Sequence, residues 1–411
     1  MTFSEPLSQY EEILKDAIRT SVKESGAKLA KTFQNLLIEI LTLYMILPRK
    51  INFTQMARYG RHGEQTYRQN FNRRKNGCID WLLLNLSLAR RILDMDGLLA
   101  IAIDPCYISK AGKKTPHIGR FWSGCAGAVK HGLEIMGIGL LDVANNKCLM
   151  LRAHQSLGNS ALKMRNKTLV EYYISVMKRY SKKLLSITDI VVADAFFSTS
   201  TFEKGMSELG FYLVSRFRDN ACLYYIPKRE KKRGRPRVKG DKIDLANLNL
   251  SCMEELHING LDGKAYTLEA YAKALKNKVR LVIWRMPGGK CKLFFSTKLS
   301  MTGEEVLKTY RTRFQIEFCY RDRKQFTGLV DCQARHKRQL DFAFNASFAS
   351  LNAAKVFMKD NGMDNSMAKV KSLMFNANYT KLIFDMSRCR PNRTLISKIV
   401  KELIGWRPKT A

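Results

Sequence analysis

Two aspartates stand directly after apolar runs that are typical of buried strands. Asp104 follows the run Leu98–Ile103, Asp194 follows the run at 187–193, and each strand is expected to end at its aspartate. The carboxyl ends of strands in an open α/β sheet meet at one edge, so the two carboxylates can converge there. Taken alone, either aspartate fits the cap of a turn at least as well. In so basic a chain the pair favours a cation site, and oxygen ligands suit Mg²⁺ or Mn²⁺.

A third carboxylate belongs to the spacing Y-x2-R-x3-E-x6-K, which is formed by Tyr310, Arg313, Glu317 and Lys324. On a continuous helix of about 100° per residue, these four side chains fall within roughly 60°. Arg321 lies on the same side. A solvated helix face with i,i+4 ion pairs, such as Glu317 to Arg321, is the alternative interpretation. The spacing, rather than the charge, favours a functional face.

These features together resemble the DDE transposases of bacterial insertion sequences, in the group that cuts DNA through hairpin intermediates. The resemblance rests on Asp104 in the segment IDPCYISK, on Asp194 in VADAFF, and on Glu317 in the four-residue spacing. An insertion between the second aspartate and the glutamate is a further mark of the group. The resemblance extends over Gly97–Ala353. One departure is Pro105, where many relatives have a second Asp or a Thr, and metal binding is still expected.

The resemblance implies a catalytic centre in which Asp104, Asp194 and Glu317 are the metal ligands. It implies two Mg²⁺ ions, for which Mn²⁺ can substitute, about 3.5–4 Å apart on one phosphodiester. Asp104 is expected to bridge both ions. The reaction then proceeds from nicking at the transposon end to hairpin formation, hairpin opening and strand transfer into target DNA.

The resemblance also implies residues that bind the DNA. Tyr310 and Arg313 are expected to hold phosphates beside a flipped base, and Lys324 to pair with a phosphate near the cut end. Trp284 lies in the insertion, where relatives stack an aromatic on a flipped base. A core tryptophan in a β-hairpin is the alternative for Trp284. Arg321 is a further DNA-binding candidate on the helix face.

The charge balance indicates a polyanionic partner. Lys and Arg number 71 against 36 Asp and Glu, for a net charge of +35. Duplex DNA is expected, as terminal inverted repeats and target DNA, because neutralised phosphates release counterions. A membrane surface is disfavoured, since the basic residues are spread along the chain. The polar start and a longest apolar run of only 12 residues, at 36–47, predict no secretory signal and no membrane span. We expect a cytoplasmic, nucleoid-associated bacterial protein, and the resemblance implies a homodimer that bridges two DNA ends.

Residues 1–95 predict a helical region that binds the DNA end. Within it, Ile51–Arg74 predicts a short helix, a turn and a second helix, as in a helix-turn-helix. The second helix would present Arg68, Gln69 and Arg73 as candidates for base contacts. An ordinary helical hairpin with a solvated basic face is the alternative.

Residues 96–217 predict an α/β core in the order β, β-hairpin, α, β, α, β. A mixed sheet with helices on its faces is the natural architecture, and the resemblance makes it ribonuclease-H-like. We expect one helix over residues 161–183. The core is expected to continue in residues 300–358, where Thr302–Phe326 predicts one long helix that begins with a capping box. A helical C-terminal region, 359–411, follows.

Residues 218–299 predict a β-rich insertion that carries an exposed basic loop. Lys228–Lys242 contains nine basic residues. Within this loop, Arg233–Arg237 resembles an AT-hook, which lays arginines into a narrow minor groove; a linker is the alternative. Three strands follow, and the last two are joined as a hairpin at Pro287–Gly289.

We therefore predict a metal-dependent, cut-and-paste DNA transposase. Two other interpretations remain, a stand-alone nuclease with the same fold and a DNA-binding regulator derived from a transposase. The complete four-residue spacing and the insertion argue against the first, and the three acids argue against the second. Lys110, Lys113 and Lys114 follow the first aspartate and are further candidates for contacts with the DNA backbone.

Overall fold

The apolar run that precedes Asp104 forms the first strand of a mixed sheet with ribonuclease-H-like strand order. The computed structural model describes residues 5–48, 50–72, 79–227, 237–363 and 366–387. The core strands are β1 (Leu99–Ser109), β3 (Ala128–Asp142), β4 (Lys147–Gln155), β5 (Ile190–Val192) and β6 (Tyr212–Arg216). β1 pairs antiparallel with β3 and parallel with β5, β4 lies outside β3, and β6 lies parallel to β5. The predicted fold class is thus confirmed.

Helices cover both faces of this sheet. The described helices are α1 (Glu5–Ser25), α2 (Lys31–Ile46), α3 (Phe53–Tyr59), α4 (Glu64–Asn72), α5 (Trp81–Ala89), α6 (Asn159–Lys163), α7 (Leu169–Leu185), α8 (Ser200–Glu208), α9 (Gly303–Thr312), α10 (Gln315–Phe326), α11 (Lys337–Asp360) and α12 (Met367–Ser387). α5, α7 and α8 pack on one face, and α9, α10 and α11 on the other. The N-terminal helices share a separate core with α11 and α12. No helix in the described ranges is long and apolar enough to cross a membrane.

Small residues let α10 lie close to the sheet. Ala100 and Ala102 of β1 face α9–α11, while Ile101 faces α7 and α8. On β3, a Cβ at Gly137 would lie 1.9 Å from the Tyr320 hydroxyl oxygen, so only glycine allows this approach. Because alternate strand residues share a face, the next residue in the Ala100–Ala102 series, Asp104, also faces α9 and α10.

The outer edge of β4 is covered by asparagine side chains instead of another strand. Asn345 of α11 accepts the Ala153 amide at 2.9 Å and donates to the Ala153 carbonyl at 3.1 Å. Asn352 donates to the Met150 carbonyl at 2.7 Å, and Asn85 of α5 donates to the next carbonyl at 3.0 Å. These amides satisfy backbone groups that an exposed edge would leave open to another chain, and they fix α11 against the sheet.

The insertion extends the same sheet rather than forming a separate one. Its described strands are β7 (Leu223–Tyr225), β8 (Glu254–Leu256), β9 (Lys264–Ala272), β10 (Asn277–Arg285) and β11 (Cys291–Ser296). β11 pairs antiparallel with β6, and the order continues to β10, β9 and β7. The predicted hairpin joins β10 to β11, with φ of +88° and +83° at Gly288 and Gly289. Residues 228–236, including most of Arg233–Arg237, and residues 388–411 lie outside the described ranges.

Two element boundaries differ from the sequence prediction. β1 continues past Asp104 to Ser109; Pro105 is tolerated because β5 pairs only as far as Ala102, so one edge of β1 is already unpaired there. The helix expected over 161–183 is two helices, because Thr168 caps α7 through a capping box with Glu171.

Candidate active site

Asp104 and Asp194 lie at the same level on neighbouring parallel strands. β1 and β5 are in register with Ala102 opposite Val192, and each aspartate stands two residues further along. Asp194 follows β5, and its Oδ1 accepts the Phe196 amide at 3.0 Å, which caps a short 3₁₀ turn. The capping role that the sequence allowed therefore exists for Asp194, alongside its place beside Asp104.

Glu317 lies at the start of a helix, because the long helix predicted over Thr302–Phe326 is interrupted. Between α9 and α10, the amides of Phe314 and Glu317 donate to carbonyls three residues back, at 3.2 and 3.0 Å. This tightened turn puts Glu317 in the first turn of α10, where the positive end of the helix dipole favours a carboxylate. The prediction of one continuous helix was wrong, and the four-residue spacing is divided between two helices.

The guanidinium of Arg313 lies between the carboxylates of Asp104 and Glu317. Its Nη1 is 3.6 Å from Asp104 Oδ1, and its Nη2 donates to Glu317 Oε1 at 3.3 Å. Burial lowers the pKa of Arg313, but Tyr310 and the three carboxylates, Asp194 included, raise it above its ordinary value. Two acids from distant parts of the sequence, Asp104 and Glu317, thus share one cation, and Asp194 acts on it only through its charge.

The carboxyl of Asp104 has a strongly raised pKa. Burial raises its pKa to about 7; the Arg313 guanidinium opposes this rise, and repulsion from Asp194 and Glu317 adds to it. A cation of higher charge than the Arg313 guanidinium would stabilise the ionised form of Asp104 further and lower its pKa.

Tyr310 and Trp284 belong to an aromatic row behind this cluster. The Arg313 guanidinium carbon lies 5.6 Å from the centroid of the Tyr310 ring. Phe294 joins the two predicted residues, with ring centroids 5.0 Å from Tyr310 and 6.4 Å from Trp284. The Trp284 indole donates to the Asp262 carbonyl at 2.7 Å. This packing matches the alternative of a core tryptophan, and stacking of Trp284 on a base stays a prediction.

Lys324 and Arg321 have different surroundings on α10. Lys324 lies near the Cys106 thiol of β1; burial raises the pKa of that thiol to about 12, and the Lys324 ammonium opposes the rise. Arg321 is 64% exposed and pairs with Asp322 at 3.1 Å. Glu317 forms its ion pair with Arg313, one turn earlier in the chain, and not with Arg321. Lys324 is therefore the better placed of the two for a phosphate at the Asp104 edge.

The predicted N-terminal helix pair is present as α3 and α4, at some distance in sequence from the acids. Arg68 forms an ion pair with Glu64 on the same helix. Arg68 and Gln69 line a cleft of about 890 Å³ between the helix pair and residues 332–339. Arg73 lies outside the described residues. The base contacts expected of these residues stay predictions.

Two residues near the acids were missed by sequence reasoning. The Tyr320 hydroxyl donates to the Asp104 carbonyl at 2.7 Å and ties α10 to β1. Glu134, buried on β3, accepts a hydrogen bond of 2.5 Å from the Tyr173 hydroxyl, and its carboxyl adds to the rise in the Asp104 pKa. The signals were available: Tyr320 is three residues from Glu317 on a helix, and Glu134 is an acid inside an apolar strand.

The three carboxylates fit a hard divalent cation by donor type. Within the described ranges, no group of three or more His, Cys, Asp or Glu side chains stands ready to hold a metal ion. Mg²⁺ usually needs only one or two carboxylates, together with waters and substrate phosphates. Asp104 and Glu317 already pair with the Arg313 guanidinium, so this point of the site accommodates positive charge. A divalent cation would compete with the guanidinium for the same oxygens.

The sequence matches one known protein family over more than half of its length. Residues 28–272 match the family described as DDE superfamily endonuclease. This range is more than half of the chain and includes Asp104 and Asp194. It ends in β9, before the helix that carries Glu317. No curated protein matches the sequence.

Proposed function

Because this chain belongs to the DDE superfamily of endonucleases, we propose that it is a cut-and-paste transposase of an insertion sequence. The observation that carries the proposal is that Asp104 and Glu317 both pair with Arg313, while Asp194 follows the strand next to that of Asp104 at the same level. A nuclease site needs such a concentration of carboxylates, whereas a protein that only binds DNA gains nothing from acids at a basic surface.

Asp104, Asp194 and Glu317 would hold the divalent ions, with Mg²⁺ as the expected metal and Mn²⁺ as a substitute. When bound, the ions would activate a water or a 3′-hydroxyl and stabilise the leaving oxygen. Asp104 must lose its proton before it can act as a ligand. Its raised pKa therefore makes ion binding favourable only near and above neutral pH, or at high ion concentration.

The remaining residues of the spacing would position the DNA. Arg313, once it is released from the carboxylates, has a planar fork of donors that suits two phosphate oxygens. Tyr310 is half-buried beside it, so its ring can guide the guanidinium. Lys324 would pair with a phosphate further along β1. Tyr320 would keep Asp104 and α10 together while these groups move.

The expected DNA partners are the terminal inverted repeats and the target duplex. Arg68, Gln69 and Arg73 are the proposed contacts to the repeat, and Trp284 in the insertion and Arg321 in the core are secondary candidates. A homodimer that holds two ends would coordinate the cuts. The net charge of +35 supports a long contact with phosphates.

The test is a time course on a supercoiled plasmid that carries the coding sequence with its natural flanking DNA. With Mg²⁺, a transposase yields nicked, hairpin-ended and fully excised products in that order. A stand-alone nuclease yields nicks without hairpins and without preference for the flanks. A regulator binds the flanks and yields no cut product, and either of these last two results would refute the proposal.

A further inference from the structure

The hairpin of β2 (Gly119–Ser123) and β3 extends beyond the rest of the sheet at the edge that carries Asp104. β1 ends opposite Gly132, but β3 begins four residues earlier and pairs there with β2, Gly119–Ser123. The two strands are joined through residues 124–127, and Gly127 has φ +56°. A two-stranded ribbon thus projects from the candidate active site.

One face of this ribbon has an apolar centre next to basic groups. Trp122 lies opposite Val129, and Arg120 lies opposite His131, so all four side chains share one face. Trp122 is 61% exposed and Val129 is 50% exposed. Phe121, on the other face, is buried and anchors the ribbon to the body.

The base of the ribbon is firmly held. The Tyr107 hydroxyl donates to the His131 carbonyl at 2.6 Å. The loop that leads into β2 is fixed by Gln155, whose Nε2 donates to the Pro116 carbonyl at 2.8 Å. The exposed tryptophan is therefore presented on a supported arm, where a partner can bind it with little loss of entropy.

The charge of the segment identifies the partner as DNA. From Pro105 to Leu133 the sequence contains no Asp or Glu, and its five Lys and Arg residues are Lys110, Lys113, Lys114, Arg120 and Lys130. A second copy of the ribbon would carry the same charge and would be repelled. Two apolar side chains also fall far short of the roughly 1,000 Å² that a stable protein interface needs.

We propose that this ribbon enters the major groove of the duplex that is bound at Asp104, with Trp122 and Val129 against the base edges. The major groove admits a two-stranded ribbon of this kind. On β3, Trp122 pairs with Val129 and Asp104 pairs with Gly137. The two side chains are therefore eight β3 residues apart along the strand direction. At about 3.3 Å per residue this is roughly 26 Å, or about eight base pairs. The inference rests on the proposed function, because it assumes that DNA occupies the site.

The first test measures binding of a fluorescein-labelled 40-base-pair duplex of arbitrary sequence by the full chain, with Ca²⁺ in place of Mg²⁺. Trp122→Ala should weaken binding about tenfold, by analogy with the loss of one aromatic contact, and Trp122→Phe should weaken it only two- to threefold. Leu250→Ala, which removes a side chain that is 52% exposed in the insertion, is the matched control and should bind normally. Unchanged melting temperatures would show that all three variants fold.

The second test locates the contact. Dimethyl sulfate should be blocked from guanine N7 atoms about eight base pairs from the cut site, and Trp122→Ala should remove this protection even at protein concentrations that saturate the DNA. Equal binding and equal protection in Trp122→Ala would overturn the ribbon contact and leave the proposed function intact. Normal DNA binding by Trp122→Ala together with a loss of dimer in sedimentation would also overturn the ribbon contact with DNA, because the ribbon would then contact a second copy of the chain. If the unaltered protein binds no duplex, the proposed function fails, and the inference fails with it.

Discussion

Replacing Asp104 with asparagine should stabilise the metal-free protein at neutral pH. In the folded chain the pKa of Asp104 is raised from 3.8 to about 7, chiefly by burial. The folded state therefore holds this proton more tightly than the unfolded state. The resulting stability is fully present below pH 4 and is lost as the pH rises through 7. Asparagine has no proton to lose, so Asp104→Asn avoids this loss.

The size of the effect follows from the shift. About three pKa units, at about 1.36 kcal/mol each, give an upper limit of about 4 kcal/mol at pH 8. The neutral amide of the variant would leave Arg313 with Glu317 as its nearest carboxylate, which offsets part of the gain. We expect a net gain of about 2 kcal/mol. With an unfolding entropy of roughly 2.1 cal/mol/K per residue, this corresponds to a rise in Tm of about 2–3 °C.

The assay is thermal unfolding in EDTA at pH 8 and at pH 4.5, for the unaltered protein and for Asp104→Asn. The gain should be present at pH 8 and nearly absent at pH 4.5. Asp142→Asn is the control, because Asp142 is buried but accepts the Asp94 and Asn145 amides, so its replacement should destabilise. A Tm for Asp104→Asn that is unchanged or lower at pH 8 would refute the electrostatic description of the site.

Three further predictions concern the positioning of the same groups. Gly137→Ala should lower the cleavage rate at least tenfold, because its Cβ would lie 1.9 Å from the Tyr320 hydroxyl oxygen, and adding Tyr320→Phe should recover part of the rate. Arg313→Ala and Lys324→Ala should still nick the first strand but form hairpins slowly; gel analysis that shows equal loss at every step would assign them a structural role only. At limiting Mg²⁺ the nicking rate should fall as the pH drops below 7, because Asp104 takes up a proton, and excess Mg²⁺ should restore it. A flat profile from pH 6 to pH 8 at limiting Mg²⁺ would contradict this last prediction.

The strands of the core could be predicted because burial on both faces leaves uninterrupted apolar runs. β1 up to Asp104 and β5 follow this pattern closely, and the turn chemistry at Pro287–Gly289 fixed a hairpin. The position of Asp104 beside Asp194 could also be predicted, because the carboxyl ends of parallel strands meet at one edge of a sheet. Local sequence is sufficient wherever a single face or a single turn decides the structure.

Other features depended on contacts that local patterns do not contain. β2 was missed because its pairing with β3 leaves Trp122 exposed, and alternation was masked by glycines on either side. The break at Arg313 was missed because no Gly or Pro marks it in the sequence, and the Arg313 side chain pairs with Asp104 of β1, which is far away in sequence. The asparagines of α11 that cover β4 gave no signal, because their partners are backbone groups far away in sequence.

The central claim is that Glu317 completes a carboxylate site for DNA strand cleavage. The most direct measurement is Mg²⁺-dependent nicking of the natural-flank plasmid by Glu317→Gln, beside Asp322→Asn as a matched change on the same helix. Asp322 pairs with the exposed side chain of Arg321 and not with Arg313, so its amide variant should cut normally. We predict that Glu317→Gln binds the DNA and leaves it uncut. Robust cutting by Glu317→Gln, or equal loss in both variants, would contradict the assignment.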